Sequence, residues 1–287
     1  MFIIFGLAII VWGLKFGIDF TGGSILEVKF NKNRTEVTAI QAKLNDLNLG
    51  SLTVQPVGES NISLRFQNST KEKHDETIKR LNELANPGAK DKEQNLVEEL
   101  RYDSVGPSIG AELKSKAVNA IFWVFIMIVI YISIAFHKVS KPVASWKYGI
   151  SALLAMFHDV IITIGVFAVL GKYFGVEINT PFVAAVLTVL GYSIHDTIVV
   201  FDRIRENLPK SDKDFEGTVN ASLNQTLGRS INTSLTVLLT LVAIIIFGGE
   251  SVRSFALALT VGIFIGTYSS IFVASPLLVV WEKIGKK

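Results

Sequence analysis

The chain alternates between long apolar runs and one polar stretch, which predicts membrane spans around a single water-exposed domain. Apolar runs of about 20 residues are typical of helices that cross a bilayer, whose hydrocarbon core is about 30 Å thick. Six apolar runs occur, the first of them short, at 1–17, 117–136, 148–170, 181–201, 230–247 and 255–280. We therefore expect an α-helical polytopic membrane protein with six transmembrane helices, the last five forming a domain over 117–287.

Residues 18–116 carry balanced charges and shorter apolar patterns, which indicate a small α+β domain between the first two spans. Apolar residues alternate with polar ones in Ser24–Phe30, and this period of two predicts a half-buried strand. The same reasoning predicts helices at Thr35–Leu47 and Lys71–Leu84 and strands at Leu52–Val57 and Ile62–Phe66. The segment Leu96–Val105 fits a helix or a strand. A strand there completes the order β-α-β-β-α-β, which predicts a ferredoxin-like domain.

Composition narrows the classes of function. Hydrophobic residues make up 49% of the chain and mean hydropathy is +0.44, which is typical of an integral membrane protein. A net charge of only +3 argues against nucleic-acid binding. No cysteine occurs and the four histidines lack metal-ligand spacing, so we expect no metal and no cofactor. The 18–116 domain shows no catalytic motif, and we expect no enzymatic activity.

Basic residues are distributed unevenly between the loops. They are frequent in the loops 137–147 and 202–229 and at the carboxyl end, whereas the opposite loops carry only Lys172 and Arg253. By the positive-inside rule, these two loops and both termini are cytoplasmic and residues 18–116 are extracytoplasmic. Within 202–229, apolar residues recur at every fourth position from Phe215 to Leu227, which predicts an amphipathic helix at the membrane surface.

Polar residues interrupt the fourth span. Tyr192, Ser193 and Asp196 lie on one stripe of the predicted helix, and His195 adjoins the carboxyl group. A carboxylate near the centre of a membrane helix costs at least about 2.5 kcal/mol, so Asp196 should face protein or water. It is either a functional proton carrier or a structural group within the helix bundle.

Neighbouring spans supply candidate partners for that carboxyl. The third span contains His158 and Asp159, and Arg229 heads the fifth span. A polar stripe follows Arg229 at helical spacing: Asn232, Thr233, Thr236 and Thr240. An arginine opposite two carboxyls would lower the cost of burying them and control their protonation. We therefore predict a proton relay of Asp196, Arg229, Asp159, His195 and His158, supported by the polar stripe; a static ion pair is the alternative.

Four motifs carry a resemblance to a known family. They are GIDFTGG at 17–23, VGPSIGAEL at 105–113, GYSIHDTIVVFDRIREN at 191–207 and LGRSINTSLTVLL at 227–239. Together with the His158-Asp159 pair, they make the chain similar to the SecD/SecF family of the resistance-nodulation-division (RND) superfamily over nearly its whole length. Gly262, Gly266 and Ser270 also form a small-residue face on the sixth span that predicts close helix packing.

The resemblance implies a function in the cell membrane. In this family, SecD is the partner subunit in a twelve-span unit beside the SecYEG channel. That unit uses the proton motive force to pull unfolded exported polypeptide outward, and the relay carboxyl and arginine fall on Asp196 and Arg229.

Two departures and two alternatives accompany this prediction. The family usually has Asn where this chain has His195, which adds a titratable group. The amino terminus is shorter than usual, so we expect the first span to be incomplete. A second hypothesis is an RND-type half-transporter that exports a lipid or small molecule. A third hypothesis is a passive scaffold.

Overall fold

The structure is a computed structural model that describes residues 1–31, 35–67, 70–85, 97–136 and 143–285. The chain divides into two compact units. One comprises Phe16–Ser115, and the other comprises Met1–Lys15 with Lys116–Lys287. Each unit is described separately below.

The unit Phe16–Ser115 contains a four-stranded antiparallel sheet. A short helix α2 (Ile18–Thr21) precedes it. Then follow β1 (Gly23–Phe30), α3 (Val37–Leu44) with a 3₁₀ turn (Asn45–Leu47), β2 (Thr53–Val57), β3 (Asn61–Phe66), α4 (Lys71–Ala85) and β4 (Val97–Val105). The spatial order of the strands is β2-β3-β1-β4. The predicted order β-α-β-β-α-β is confirmed, and Val97–Val105 is a strand.

The core of this unit follows from the alternation in β1 and β3. Leu26 and Val28 on β1 lie opposite Leu64 and Ile62 on β3, and all four side chains are fully buried. Because successive side chains in a strand point to opposite faces, a slip of one residue would expose this whole set. The apolar faces of α3 and α4 cover it through Ile40, Leu44 and Leu81, each with no exposed surface.

Arg80 connects the two helices of this unit. Its guanidinium donates hydrogen bonds to the Lys43 carbonyl oxygen at the end of α3 (2.9 Å), to Glu76 Oε1 (3.1 Å) and to the Asp46 carboxylate. The hydrogen bond from Arg80 holds the pKa of the Asp46 carboxyl below its ordinary value. Arg80 therefore terminates α3 and fastens it to α4.

Glycines let the two motifs 17–23 and 105–113 pack backbone against backbone. Gly22 has φ +72°, and a Cβ there would lie 2.9 Å from Pro107 Cα. A Cβ at Gly110 would lie 3.0 Å from the Gly22 nitrogen and 3.1 Å from the Phe20 carbonyl oxygen. Only glycine satisfies both the positive φ and the close approach at Gly22. This contact joins the start of β1 to the first turn of the long helix that follows β4.

The second unit consists of helices. Their bounds are α1 (Phe2–Trp12), α5 (Pro107–Ala135, shared with the first unit), α6 (Ser145–Phe174), α7 (Thr180–Asn207), α8 (Phe215–Phe247), α9 (Glu250–Ser269) and α10 (Ser275–Gly285). A 3₁₀ turn (Leu208–Lys210) extends α7, and a π-helical turn (Ser270–Ala274) joins α9 to α10. Among the described residues, five helical segments are long and apolar enough to cross a membrane. The chain is therefore a polytopic membrane protein.

The structure corrects several predicted boundaries. The predicted span 1–17 contains only an 11-residue helix, which is about 16 Å long and too short to cross a bilayer core by itself. Helix α5 begins at Pro107, ten residues before the predicted span 117–136. The predicted loop 137–147 is described only from Val143, and α6 already begins at Ser145.

The segment 202–229 contains the predicted helix, but its residues belong to the long helices α7 and α8. Helix α7 continues to Asn207, and α8 runs without interruption from Phe215 to Phe247. The apolar repeat of Phe215 and Val219 is real, but these side chains pack against α7 within the bundle rather than marking a separate surface helix. The buried face of α8 continues from this segment into the membrane span, so the helix does not end between the two.

Aromatic residues mark two levels along α6. Near its start, Trp146 packs edge-on against Trp281 of α10 with ring centroids 5.9 Å apart. Near its end, Tyr173 packs edge-on against Trp12 of α1 at 5.5 Å. The interval from Trp146 to Tyr173 is about 40 Å along a helix axis. This distance matches the thickness of a bilayer with its headgroup regions, where Trp and Tyr are enriched.

Small residues bring α9 close to α7. A Cβ at Gly266 would lie 3.1 Å from Ser193 Cβ, and a Cβ at Gly262 would overlap the Val189 side chain. Ser270, the third member of the predicted small-residue face, is fully buried. The predicted close packing through these residues is confirmed, and it places the polar side chains of α7 and α9 within hydrogen-bonding reach.

We predict that Gly22→Ala destabilises the Phe16–Ser115 unit more than Gly58→Ala does. Both glycines have positive φ, but a Cβ at Gly58 would meet no atom within 4 Å. The backbone penalty of about 1–2 kcal/mol is therefore shared, and the displacement of Pro107 adds about 1–3 kcal/mol at Gly22 alone. Amide hydrogen exchange of β1 and β4 in the full chain measures the difference. Equal exchange rates in the two variants would show that the Gly22–Pro107 contact carries no energy.

Candidate functional site

Asp159 on α6 is a fully buried carboxylate inside the helical unit. Its Oδ2 accepts hydrogen bonds from Ser193 Oγ of α7 (2.5 Å) and from Ser269 Oγ of α9 (2.6 Å). Its Oδ1 lies 2.9 Å from His158 Nδ1. Three different helices therefore meet at one carboxyl group. Hydrogen bonds to a charged group contribute about 1.5–3 kcal/mol each, which offsets part of the burial cost.

The backbone of α9 changes its winding where it reaches Asp159. Ser269 ends the α-helix, and the π-helical turn Ser270–Ala274 follows. Ser275 Oγ donates to the Ser270 carbonyl oxygen (2.9 Å), five residues earlier. Pro276 comes next and has no N–H to donate, which accounts for a break in the regular pattern at this point.

Asp196 on α7 forms a second buried carboxyl site, with 3% of its surface exposed. Its Oδ2 accepts a hydrogen bond from Thr267 Oγ1 of α9 (3.2 Å). Thr267 Oγ1 also lies 2.5 Å from Ser234 Oγ of α8, and Tyr192 OH donates to that serine oxygen at 3.2 Å. Asp196 therefore belongs to a chain of hydroxyl groups that extends from α7 through α9 to α8.

The predicted approach of Arg229 to the two carboxyls differs from what the structure shows. Arg229, Asn232, Thr233 and Thr236 are all exposed on α8, and so is Thr240. Among the described residues, none forms an ion pair with Arg229 within 4 Å. Thr233 Oγ1 donates to the carbonyl oxygen of Arg229 in its own helix (2.8 Å). The stripe is exposed on α8, and Arg229 still lies close enough to Asp196 for a coulombic interaction with its carboxyl.

The remaining predicted residues divide between the two sites. Ser193 contacts Asp159 rather than Asp196, whereas Tyr192 reaches the Asp196 site through Ser234. His158 hydrogen-bonds its neighbour Asp159 and stacks on the Phe2 ring of α1. His195 is exposed on α7.

Sequence reasoning missed three contributors: Ser234, Thr267 and Ser269. Thr267 and Ser269 lie in the sixth span close to the small-residue face Gly262–Gly266–Ser270, and this proximity is the signal that could have identified them. Ser234 lies one turn beyond Ser230 on the face of α8 that continues the apolar repeat of Phe215 and Val219. That face, and not the stripe of Arg229, turns out to be buried.

These features define a class of protein. The chain is a polytopic membrane protein in which the carboxyl groups of Asp159 and Asp196 are buried between helices, and each accepts hydrogen bonds from hydroxyl groups of neighbouring helices. Intramembrane ionisable groups that face a bundle interior are typical of ion-coupled membrane machines.

Comparison with known proteins gives the family. A family model described as "Protein export membrane protein SecD/SecF, C-terminal" matches residues 88–284, and the "SecD/SecF GG Motif" matches residues 8–33. The chain belongs to the SecD/SecF family of protein export membrane proteins. It is 45% identical over 285 residues to the protein translocase subunit SecF of Thermobaculum terrenum, which covers 96% of this chain and 86% of that protein. The SecF of Anaerolinea thermophila is 41% identical over 275 residues, 95% of this chain and 86% of that protein.

Solved structures are similar over the whole chain. The crystal structure of SecDF from Thermus thermophilus, described as a translocon-associated membrane protein, matches with a TM-score of 0.80 and 34% identity over 98% of this chain. A SecDF structure in a super-membrane-facing form matches with a TM-score of 0.67 and 32% identity over 99% of this chain. This chain spans only 37% of the length of either SecDF chain.

We predict that Ser269→Ala destabilises the helical unit more than Ser270→Ala does. Both serines are fully buried on consecutive positions, but Ser269 donates to Asp159, whereas Ser270 donates only to the Thr267 carbonyl oxygen of its own helix. Removing a donor from a buried carboxylate costs about 1–3 kcal/mol. Unfolding of the purified chain in detergent, titrated with urea, measures both variants. If Ser270→Ala lowered stability as much as Ser269→Ala, the hydrogen bond to Asp159 would not be the cause.

Proposed function

We propose that this chain is a subunit of a Sec protein-export complex that uses the proton motive force to drive late steps of translocation across the cell membrane. The observation that carries the proposal is the Asp196 site. Its carboxyl lies buried in the middle of a membrane-spanning helix and is held by uncharged hydroxyl groups that can both donate and accept protons. The Sec names of the relatives support the same pathway.

The site assigns a role to each group. Asp196 takes up and releases the proton. The two carboxyl oxygens of Asp159 have three hydrogen-bond partners. These bonds hold α6, α7 and α9 together around the Asp196 carboxyl. Arg229 is the charge that biases Asp196 toward its ionised form when the helices move closer, as an opposite charge does. The proposal includes no covalent chemistry, metal or cofactor, and the coupling ion is H⁺.

The exposed stripe on α8 is the argument for a partner. An arginine facing lipid near a helix centre costs about 2.5–3.5 kcal/mol. Lipid also offers no hydrogen-bond partner to Asn232. We propose that a matching membrane half, of the SecD type, covers this stripe and completes a two-half unit that acts beside the SecYEG channel on unfolded exported polypeptide. This chain matches only 37% of the length of the solved SecDF chain, so the rest of that chain is long enough to contain such a half.

The proposed topology has six spans, the first of which contains α1, and cytoplasmic termini. The unit Phe16–Ser115 is then extracytoplasmic. Its strand order, with β1 between β3 and β4, agrees with the ferredoxin-like class that we assign to it. The uneven distribution of Lys and Arg supports the orientation.

Cysteine labelling tests this orientation in a chain that has no cysteine of its own. Glu59→Cys and Asp212→Cys each replace an exposed acidic residue, one in each predicted compartment. We expect an impermeant thiol reagent to modify Glu59→Cys in intact cells and Asp212→Cys only after permeabilisation. The reverse pattern would invert the topology.

We predict that Asp196→Asn abolishes gradient-dependent export and leaves folding intact. Asn has nearly the same shape and still accepts a hydrogen bond from Thr267, but it cannot take up and release a proton. Asp202→Asn is the matched control, because Asp202 is an exposed carboxyl of the same helix, 3.7 Å from Arg205. Export of a secreted protein into inverted membrane vesicles, with and without a proton gradient, measures the effect. Normal gradient-dependent export by Asp196→Asn would leave only the scaffold role.

A further inference from the structure

One face of α8 carries a hydroxyl group at every fourth residue. This hydroxyl column consists of Thr218, Ser222, Thr226, Ser230 and Ser234, all at most 5% exposed. Sixteen residues of α-helix are about 24 Å long. The column therefore extends from the end of α8 that adjoins α7 to the middle of the membrane-spanning segment.

The inner end of the column reaches the Asp196 site. Ser234 Oγ lies 2.5 Å from Thr267 Oγ1, which donates to Asp196 Oδ2 at 3.2 Å. Ser234 is therefore separated from the carboxyl by a single hydroxyl group. This connection is made between helices and does not depend on the backbone of α8.

The outer end of the column reaches polar groups at the connection between α7 and α8. Asn207 Nδ2 donates to Ser222 Oγ at 2.9 Å and to Gln225 Oε1 at 3.0 Å. Thr218 Oγ1 and Ser211 Oγ are within hydrogen-bond distance of each other at 2.8 Å. Lys210 and Lys213 flank this connection and are exposed, so the column ends among groups that water reaches.

Ser230 differs from the rest of the column. Thr218, Ser222 and Thr226 each donate to a carbonyl oxygen of their own helix, as serine and threonine in helices often do. Ser230 is 2% exposed, and among the described residues its Oγ has no hydrogen-bond partner. A buried hydroxyl without a partner costs about 1–3 kcal/mol, so a water molecule is the partner we assign to it.

The spacing of the column suits alternating hydroxyl groups and water. Positions four apart on a helix are separated by about 6 Å along the axis. Two hydrogen bonds of about 2.8 Å through one water molecule cover that distance. A column of this kind conducts protons by exchange along the chain without moving any heavy atom far.

The same face of α8 is apolar beyond Asp196. Leu238, Leu241 and Ile245 follow Ser234 toward the other end of the helix. Small residues that served only for packing could be alanine or glycine, and they would not need hydroxyl groups in this half of α8 alone. Beyond Ser234, Thr236 and Thr240 belong to the exposed stripe, which lies on a different face of the helix.

We propose that the hydroxyl column is the inner half of the proton path, which connects Asp196 to the cytoplasmic end of the bundle. This inference rests on the proposed function. A proton leaves Asp196 Oδ2 for the Thr267 and Ser234 hydroxyls, and each hydroxyl that accepts a proton passes its own proton to the next water. Every hydroxyl ends neutral, Asp196 is left as a carboxylate, and one proton enters the cytoplasm.

Proton flux through the complete complex tests the column. The chain and its partner half are reconstituted into vesicles that contain a pH-sensitive dye, and a pH gradient is imposed from the extracytoplasmic side. The Asp196→Asn complex defines the background. Ser230→Ala and Thr226→Val remove a hydroxyl at nearly constant volume, and Ser230→Thr keeps one. Thr163→Val is the matched control, because Thr163 is fully buried and bonds only to a carbonyl oxygen of its own helix.

We expect Ser230→Ala and Thr226→Val to lower the Asp196-dependent flux about tenfold, equivalent to about 1.4 kcal/mol in the barrier, while Ser230→Thr and Thr163→Val keep it. Wild-type flux in Ser230→Ala would overturn the column and leave the proposed function standing. An equal loss of flux in Thr163→Val would overturn the proposed column. A loss of flux together with unfolding in detergent would also overturn it, because the hydroxyl groups would then serve helix packing. Wild-type flux no faster than that of Asp196→Asn would overturn the proposed function and the column with it.

Discussion

The buried carboxyl groups are the constraint on which the helical unit depends. A membrane interior offers no water to Asp159 and Asp196, so neighbouring helices must supply the donors. Helix α9 supplies one to each, through Ser269 and Thr267. These short side chains reach only if the helices nearly touch, which explains why Gly266 lies where a Cβ would meet Ser193. Close packing and polar chemistry therefore depend on the same small residues.

Helix α8 shows how this constraint divides a span into two polar faces. One face places Ser230 and Ser234 inside the unit, and the other exposes Arg229 and Asn232. The exposed face would be costly in contact with lipid, and this cost is the argument for the partner half that we propose. In the proposed assembly, Asp196 lies between a hydroxyl network within this chain and a charged face that the partner half covers.

The sequence alone determined the elements and the class of protein. Alternation in Ser24–Phe30 and the later strands predicted the β-α-β-β-α-β order, because side-chain period follows directly from backbone geometry. Apolar length predicted five of the spans, because a bilayer sets a minimum helix length. The carboxyls Asp159 and Asp196 were evident because a charge inside an apolar run is rare. The glycines of the sixth span indicated close packing for the same local reason.

Only the tertiary structure decided which face of each helix meets which neighbour. The polar stripe from Arg229 to Thr240 and the hydroxyl column from Thr218 to Ser234 have the same helical spacing, so periodicity could not tell which is buried. The pairing of Ser193 with Asp159 instead of Asp196, and the donors Thr267 and Ser269, arise between residues 34 to 110 positions apart. Such contacts depend on the rotation and separation of packed helices, which hydrophobic periodicity does not encode.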